Sequence, residues 1–380
     1  MKKPKQFLFL ALLLTAFVSV SQVNAQDFKR VADGVEYSDF ITQTDAGPIR
    51  GNLLRLDPTK ISLKVVHAMD AAIGVERTSS IASRHGAIAG VNAGFFRLDT
   101  SIWAGDAAGI MKIDGRLISE SYGGRAALGL YNKDGKMHAV IDRANTELKL
   151  VGSKSRELSI DGINRERKDG EIIIFTKEFG NSTLTSQNGI EIIVDEQSGR
   201  VLQTRRGGSS KITDRTFVIS FTADKSEAVS SFLKSQNNIV RVVSAVIPVN
   251  DKKLSEFKNA IDIVGGVGYI LQKENTVIDW ASEKTSKSFY ETRHPRTAFA
   301  VLNDGKFLLV TIDGRQPEHS IGVGLEELAD ILKKMGAIDV INLDGGGSTA
   351  MFLEGKIVNK PSDKEGERRV SDALLVFPKK

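Results

Sequence analysis

The chain has 380 residues, of which 41% are hydrophobic and 26% charged, a composition that suits one large globular domain or two modest ones. It has no cysteine, which excludes disulfides, cysteine nucleophiles, thiolate metal sites and a lipidated N-terminal cysteine. The formal net charge is +5, and removing the lysines at 2, 3 and 5 leaves +2 (5 − 3), too little to argue for nucleic acid or a membrane surface as a partner.

Those three lysines precede an apolar run from Phe7 to Val20 and the small or polar stretch "SQVNA". This is the three-part pattern of a secretory signal with cleavage after Ala25. The apolar run is short for a membrane span. The expectation is a secreted or periplasmic protein with no stable membrane insertion after cleavage.

From residue 26 onward the chain reads as short β-branched runs between turn signals: "LKVVHAM", "AIAGVN", "IIIFT", "IEIIVD", "IVRVVSAV", "TAFAVL", "KFLLVTID" and "DVINLD". Asp-Gly recurs at 114–115, 134–135, 304–305, 313–314 and 344–345, and by default such a pair is a hairpin turn. Residues 76–85 predict one helix. Residues 325–335, LEELADILKKM, predict a second, with Leu325, Leu328, Ala329, Leu332 and Met335 on one face. Glu326 and Glu327 suit its first turn and Lys333 and Lys334 its last, and Gly336 suits its end. The fold class expected is α+β, a mixed β-sheet core with a βαβ unit over 306–344 and flanking helices. Residues 150–260 read as a peripheral subregion of a single domain.

The candidate chemistry lies between 296 and 351. If Asp304-Gly305 is a two-residue turn, Leu302 opposes Phe307 and Arg296 opposes Asp313, give or take a residue. The strand, helix, strand order of 306–344 predicts parallel strands that deliver Asp313 and Asp344 to one edge, beside Arg296. "INLDGGGSTAM" then places Asp344 before three glycines whose uncovered amides predict an anion-binding concavity. Arg296 and Arg315 suit phosphate or carboxylate, and two carboxylates in differing environments divide acid and base work. The plainer alternative is an Arg296–Asp313 ion pair and a loop-capping Asp344.

Ser348 lacks a nearby histidine and a nucleophile elbow, so a hydrogen-bonding role is expected of it. The glycine run has no Walker lysine. The histidines at 67, 85, 138, 294 and 319 show no metal spacing, although His294 and His319 flank the candidate site. No cofactor is required by the sequence; the metal is unknown, with Ca²⁺ or Mg²⁺ on Asp313 and Asp344 compatible with hard carboxylate ligands.

The stretches "GVNAGFF", "GIMKIDGRLIS", "RHPRTAFAV", "VTIDGRQ", "GVGLEELADILKKMGAIDVINLDGGGSTAM" and "RRVSDALLVF" together resemble the phosphodiester glycosidase family, in family order and across nearly all of residues 26–380. The resemblance implies hydrolysis of a sugar-1-phosphodiester, such as one of N-acetylglucosamine, that frees the sugar and leaves a phosphomonoester. It implies Asp313, Asp344 and Glu327 as catalytic residues. It also implies Asn92, Arg296, Arg315, Gly345, Gly346 and Ser348 as residues that bind a sugar phosphate or phosphoglycan. Two alternatives stay open: a non-catalytic phosphoglycan binder in envelope or exopolysaccharide assembly, and a metal-dependent phosphodiesterase.

Overall fold

The computed structural model describes residues 27–379; the expected signal at 1–25 lies outside the described residues. The elements that position the site are, in chain order, β1 (Gly47–Leu56), β2 (Ile61–His67), α1 (Thr78–Arg84), β3 (Ala89–Asn92), β4 (Tyr269–Gln272), α2 (Lys287–Glu291), β5 (Arg296–Leu302), β6 (Phe307–Ile312), α3 (Leu325–Lys334), β7 (Ala337–Asn342), β8 (Met351–Leu353) and β9 (Asp372–Pro378).

An eight-stranded sheet carries β1, β6, β5, β7 and β4 side by side in that order. A five-stranded sheet carries β8, β3, β9 and β2. The main core fills the space between them, with Phe299, Leu309 and Ile341 from the first sheet and Val91, Met351 and Leu374 from the second. On the other face of the large sheet, Ala298, Ala300, Leu308 and Val310 pack against Leu325, Leu328 and Leu332 of α3. The two-residue alternation of each strand divides its side chains between these layers. The same alternation points Arg296 toward the helix layer and Thr297 toward the second sheet. Each leucine that α3 buries contributes about 1.5–3 kcal/mol.

Two further large sheets and a two-stranded pairing of Glu76–Arg77 with Arg369–Val370 complete the described residues. One pairs Lys136–Gly152 with Val240–Pro248, and the other is built from strands between 162 and 206 and Thr216–Thr222. The fold is thus predominantly β. Among the described residues no helix is long and apolar enough to cross a membrane.

The α3 helix forms where its apolar spacing predicts, and the first helix begins two residues later than expected, at Thr78–Arg84, because Glu76 and Arg77 pair as a short strand with Arg369–Val370. β6 and β7 run parallel but are not hydrogen-bonded neighbours, so a βαβ unit of adjacent strands is not confirmed. β5 lies between β6 and β7 and is antiparallel to both. Hairpin closure of β5 onto β6 takes the place beside β6 that a simple crossover would have given to β7.

The hairpin register is also one residue off. Arg296 pairs with Ile312, not Asp313, because the loop has three residues, Asn303 to Gly305, with Gly305 at φ 80° and its N–H donated to Leu302 O at 2.9 Å. The physical reason is the sheet faces. Cross-strand partners share a face, and Ile312 belongs to the helix layer with Arg296, whereas Thr297 belongs to the other. Asp114-Gly115 and Asp134-Gly135 are true turns with both residues at positive φ, whereas Gly314 and Gly345 are not at positive φ and make no turn.

Candidate functional site

Asp344 follows β7 and is held from three sides. Its N–H donates to Ala93 O at 2.8 Å, its carbonyl accepts from Asn92 Nδ2 at 2.6 Å, and its Oδ1 accepts the Gly345 N–H at 2.9 Å. Asn92, wholly buried at the end of β3, also accepts from Thr297 Oγ1 at 2.7 Å and from the Ala350 N–H at 3.1 Å. Its amide therefore ties β3, β5 and the Asp344 loop together, and it reaches Asp344 through the backbone. Asp344 itself is only partly exposed. Burial of its carboxyl pushes it up to about 7, with a further push from the Asp372 charge, against the lowering effects of Ser348, the Gly345 amide and Arg368.

Asp372 opens β9 and is fully buried. Its Oδ1 accepts the Gly94 N–H at 2.5 Å, and the Ser371 hydroxyl donates to its other oxygen. A Cβ on Gly94 would sit 3.0 Å from Asp372 Oδ2, so the glycine of "NAGF" admits the carboxylate. Burial raises the Asp372 pKa, and His67 on β2 opposes that rise. His67 directs Nδ1 at Ala68 O, 3.0 Å away, and its buried Nε2 has no partner among the described residues.

The glycine run does not form the open cradle the sequence suggests. Gly345 N–H is bound to the Asp344 carboxylate, Gly346 N–H to Pro295 O at 2.9 Å, and Ser348 N–H to Gly345 O at 3.2 Å. Only Gly347 N–H finds no acceptor among the described residues. A tight turn at Gly346–Ser348 and the neighbouring Pro295 carbonyl consume the other amides. The glycines serve close packing instead. A Cβ on Gly345 would meet Pro295 O at 2.7 Å, and one on Gly347 would meet Arg368 and Asp363 at 2.2 Å. Gly346, at φ 61°, lies under the Arg315 guanidinium. Ser348 is buried, and its Oγ lacks a hydrogen-bond partner of good geometry.

Arg296 is the most informative side chain. It is 2% exposed. Its Nε donates to Val323 O at 3.2 Å, and its Nη2 donates to Phe289 O at 2.8 Å and Thr292 O at 3.0 Å. The Phe289 ring lies 5.0 Å from its Cζ. No carboxylate among the described residues pairs with it. Burial and the nearby Arg315 charge pull its pKa down to about 10, so it remains a cation at neutral pH. Arg315 is exposed, at φ 61°, and its Nε approaches His294 Nδ1 at 3.3 Å. Burial and the two arginines depress the His294 pKa. The result is two cations with no acid between them.

Asp313 is placed differently. It is 3% exposed. Its Oδ1 accepts from Asn359 Nδ2 at 3.1 Å and the Lys360 N–H at 3.1 Å, and its Oδ2 lies 2.7 Å from His319 Nε2. Both oxygens are thus engaged by groups other than arginine. Glu327 is placed differently again. It pairs with Arg293 at 2.8 Å, on the wall of a cleft beside α2 and α3. So Arg296, Arg315, Gly346, Ser348 and Asp344 gather in one place, while Asp313 and Glu327 face separate partners. Sequence reasoning did not single out Arg368, Asp372 or His67. The stretch "RRVSDALLVF" contains two of them, but only the β9–β3 pairing, Ala373 opposite Asn92, brings them to Asp344.

The residues present make a poor metal site. Among those described, no group of three or more His, Asp or Glu side chains could hold an ion, and Asp313 turns its oxygens to Asn359, Lys360 and His319.

Comparison with known proteins bears on the fold and the family. A crystal structure of a hypothetical protein from Synechocystis superposes with TM-score 0.77 over 94% of this chain and 64% of that one, at 20% identity, a likeness of fold. An uncharacterized protein of Rickettsia conorii is 24% identical over 271 residues, 69% of this chain and 88% of its own length. The human N-acetylglucosamine-1-phosphodiester alpha-N-acetylglucosaminidase is 31% identical over 132 residues, which is 34% of this chain and only 23% of the human one. The family described as phosphodiester glycosidase matches residues 188–377, half of the 380-residue chain, and the chain belongs to that family.

Proposed function

We propose that this protein is a secreted hydrolase that cleaves the C–O bond of sugar-1-phosphodiesters of the N-acetylglucosamine type, on a glycan or envelope polymer. The observation that carries the reading is Arg296, a buried guanidinium with no carboxylate partner. Burying an unpaired charge is costly, and an arginine left so beside a second arginine is suited to an anionic ligand.

Arg296 and Arg315 hold the phosphate, and the free Gly347 N–H is the one amide of the loop open to assist. Asp344, with a pKa near neutrality, accepts a proton from the attacking water. The water oxygen bonds to the anomeric carbon as the C1–O bond breaks. The bonding pair leaves with the phosphate oxygen, whose charge the arginines carry. The products are a free sugar and a phosphomonoester. Asn92 orients Asp344, and Asp313 braces the loop after β6. Glu327 acts on the sugar side through the adjoining cleft.

The test incubates the protein with an α-N-acetylglucosamine 1-phosphodiester in ¹⁸O-water, with and without EDTA. Label in the released sugar supports the reading. Label in the phosphate points to a phosphodiesterase, and the absence of release to a binding protein.

A further inference from the structure

The cleft beside α2 and α3 has a volume of about 480 Å³, and its lining includes Ile278, Trp280, Glu326, Glu327 and Asp330. Trp280 is 37% exposed and Ile278 40%. A large apolar side chain left in water on a well-tied loop invites explanation.

The loop from 277 to 286 that carries Trp280 is pinned by Glu283. That side chain is buried and accepts the N–H groups of Ala126 at 3.1 Å, Gly268 at 2.8 Å and Tyr269 at 3.0 Å. Thr285 N–H closes onto Trp280 O at 3.1 Å, Ser282 N–H onto Asp279 Oδ1 at 3.2 Å, and Asp279 pairs with Arg143. The indole is therefore presented by a preorganised loop.

The acidic part of the lining has a different chemistry. Glu326 and Asp330 make no ion pair or hydrogen bond among the described residues, and Glu327 is oriented by Arg293. The lining holds four acids (Glu291, Glu326, Glu327, Asp330) against two bases (Lys287, Arg293), so an anion is disfavoured here. An aromatic side chain and free carboxylate acceptors in one cleft fit a pyranose ring. The C–H face of such a ring is apolar, and its edge carries hydroxyl donors. The cleft also adjoins the phosphate-binding candidate. Arg293 donates to Gly322 O at 2.9 Å, and the carbonyl of Thr292, one residue before it, accepts from Arg296.

We propose that this cleft is a subsite for uncharged sugar units of the glycan, with Trp280 as the stacking platform and Glu326 and Asp330 as hydroxyl acceptors. The assignment rests on the phosphodiester glycosidase reading for its place beside the reacting bond, but its test reads binding alone.

Trp280 is one of two tryptophans, and the other, Trp103, is 6% exposed against Phe179, so intrinsic emission reports on this cleft. The probe is the neutral tetrasaccharide of N-acetylglucosamine, titrated by fluorescence and by calorimetry. The expected result is a saturable change in emission, with affinity lowered about tenfold in Trp280→Ala and largely retained in Trp280→Phe. Glu326→Gln with Asp330→Asn should weaken binding as well. No saturable change up to about 10 mM probe, or equal calorimetric affinity in wild type and Trp280→Ala, overturns the proposal. A protein that binds the tetrasaccharide but hydrolyses no phosphodiester overturns the enzymatic reading and leaves the subsite standing.

Discussion

Asp313 and Asp344 look alike in sequence. Each follows a buried strand, each precedes glycine, and the two strands lie in one sheet with β5 between them. Their surroundings make them different groups. Asp313 is met by His319, Asn359 and the Lys360 amide, donors that commit both of its oxygens to holding the loop in place. Asp344 receives one amide hydrogen bond, lies near a second buried acid, and is pushed up to about 7. The difference teaches that proximity to a sheet edge does not assign a carboxylate its work. The donors around it decide whether its charge is spent on structure or left available near neutral pH.

The strongest way to break this comparison is to exchange the fates of the two acids. Asp344→Asn is expected to lower turnover by roughly 10²–10⁴-fold with circular dichroism unchanged. Normal hydrolysis by that variant would remove Asp344 from the catalytic role. Replacing Arg296 by Met should raise KM by about 10–100-fold, the worth of a charge-assisted hydrogen bond to an anion, and Arg315→Gln should raise it less. Substrate kinetics decides this, accompanied by a thermal melt, because Arg296 also satisfies three carbonyls.

Dependence on pH sharpens the contrast. Asp344 must be ionised to take a proton from water, so activity should rise as pH increases through about 7. Asp372→Asn removes the neighbouring negative charge and should move that rise to lower pH. A profile that does not move would show that Asp372 does not tune Asp344. Stability carries the opposite sign. The folded pKa of Asp344 lies above its ordinary value of 3.8, so its contribution is intact below about pH 4 and is lost as pH rises through 7. The loss is on the order of 2–4 kcal/mol, reduced by whatever water reaches the partly exposed side chain. Asp344→Asn should therefore melt higher than wild type at pH 8 but not at pH 4.

Smaller effects are expected from Asp313→Ala, which strands buried donors and should cost about 1–3 kcal/mol of stability, seen in chemical denaturation. Chelation by EDTA should leave turnover unchanged, since Asp313 spends its oxygens on protein donors. A loss restored by Ca²⁺ or Mg²⁺ would show that a cation recruits Asp344 with ligands the resting structure does not align.

Much of the fold was legible because local rules determine it. The 3.6-residue spacing of Leu325, Leu328 and Leu332 specified α3, and Asp134-Gly135 specified a hairpin, found with both residues at positive φ. The predicted convergence of Arg296, Arg315, Asp313 and Asp344 at one sheet edge came from strand ends and chain direction, and the structure gives Asp313 partners of its own. Motif resemblance pointed to the family, which the residues from 188 to 377 support.

What the sequence by itself determined was the inventory of elements and the acids, arginines and glycines at their ends, because periodicity and turn chemistry act over a few neighbours. Tertiary structure alone decided the partners. The insertion of β5 between β6 and β7, the closing of the Gly346 amide onto Pro295, and the arrival of Asp372 near Asp344 all bring together segments tens of residues apart. Charge, burial and hydrogen bonding at a site depend on those long-range neighbours, and no local pattern encodes them.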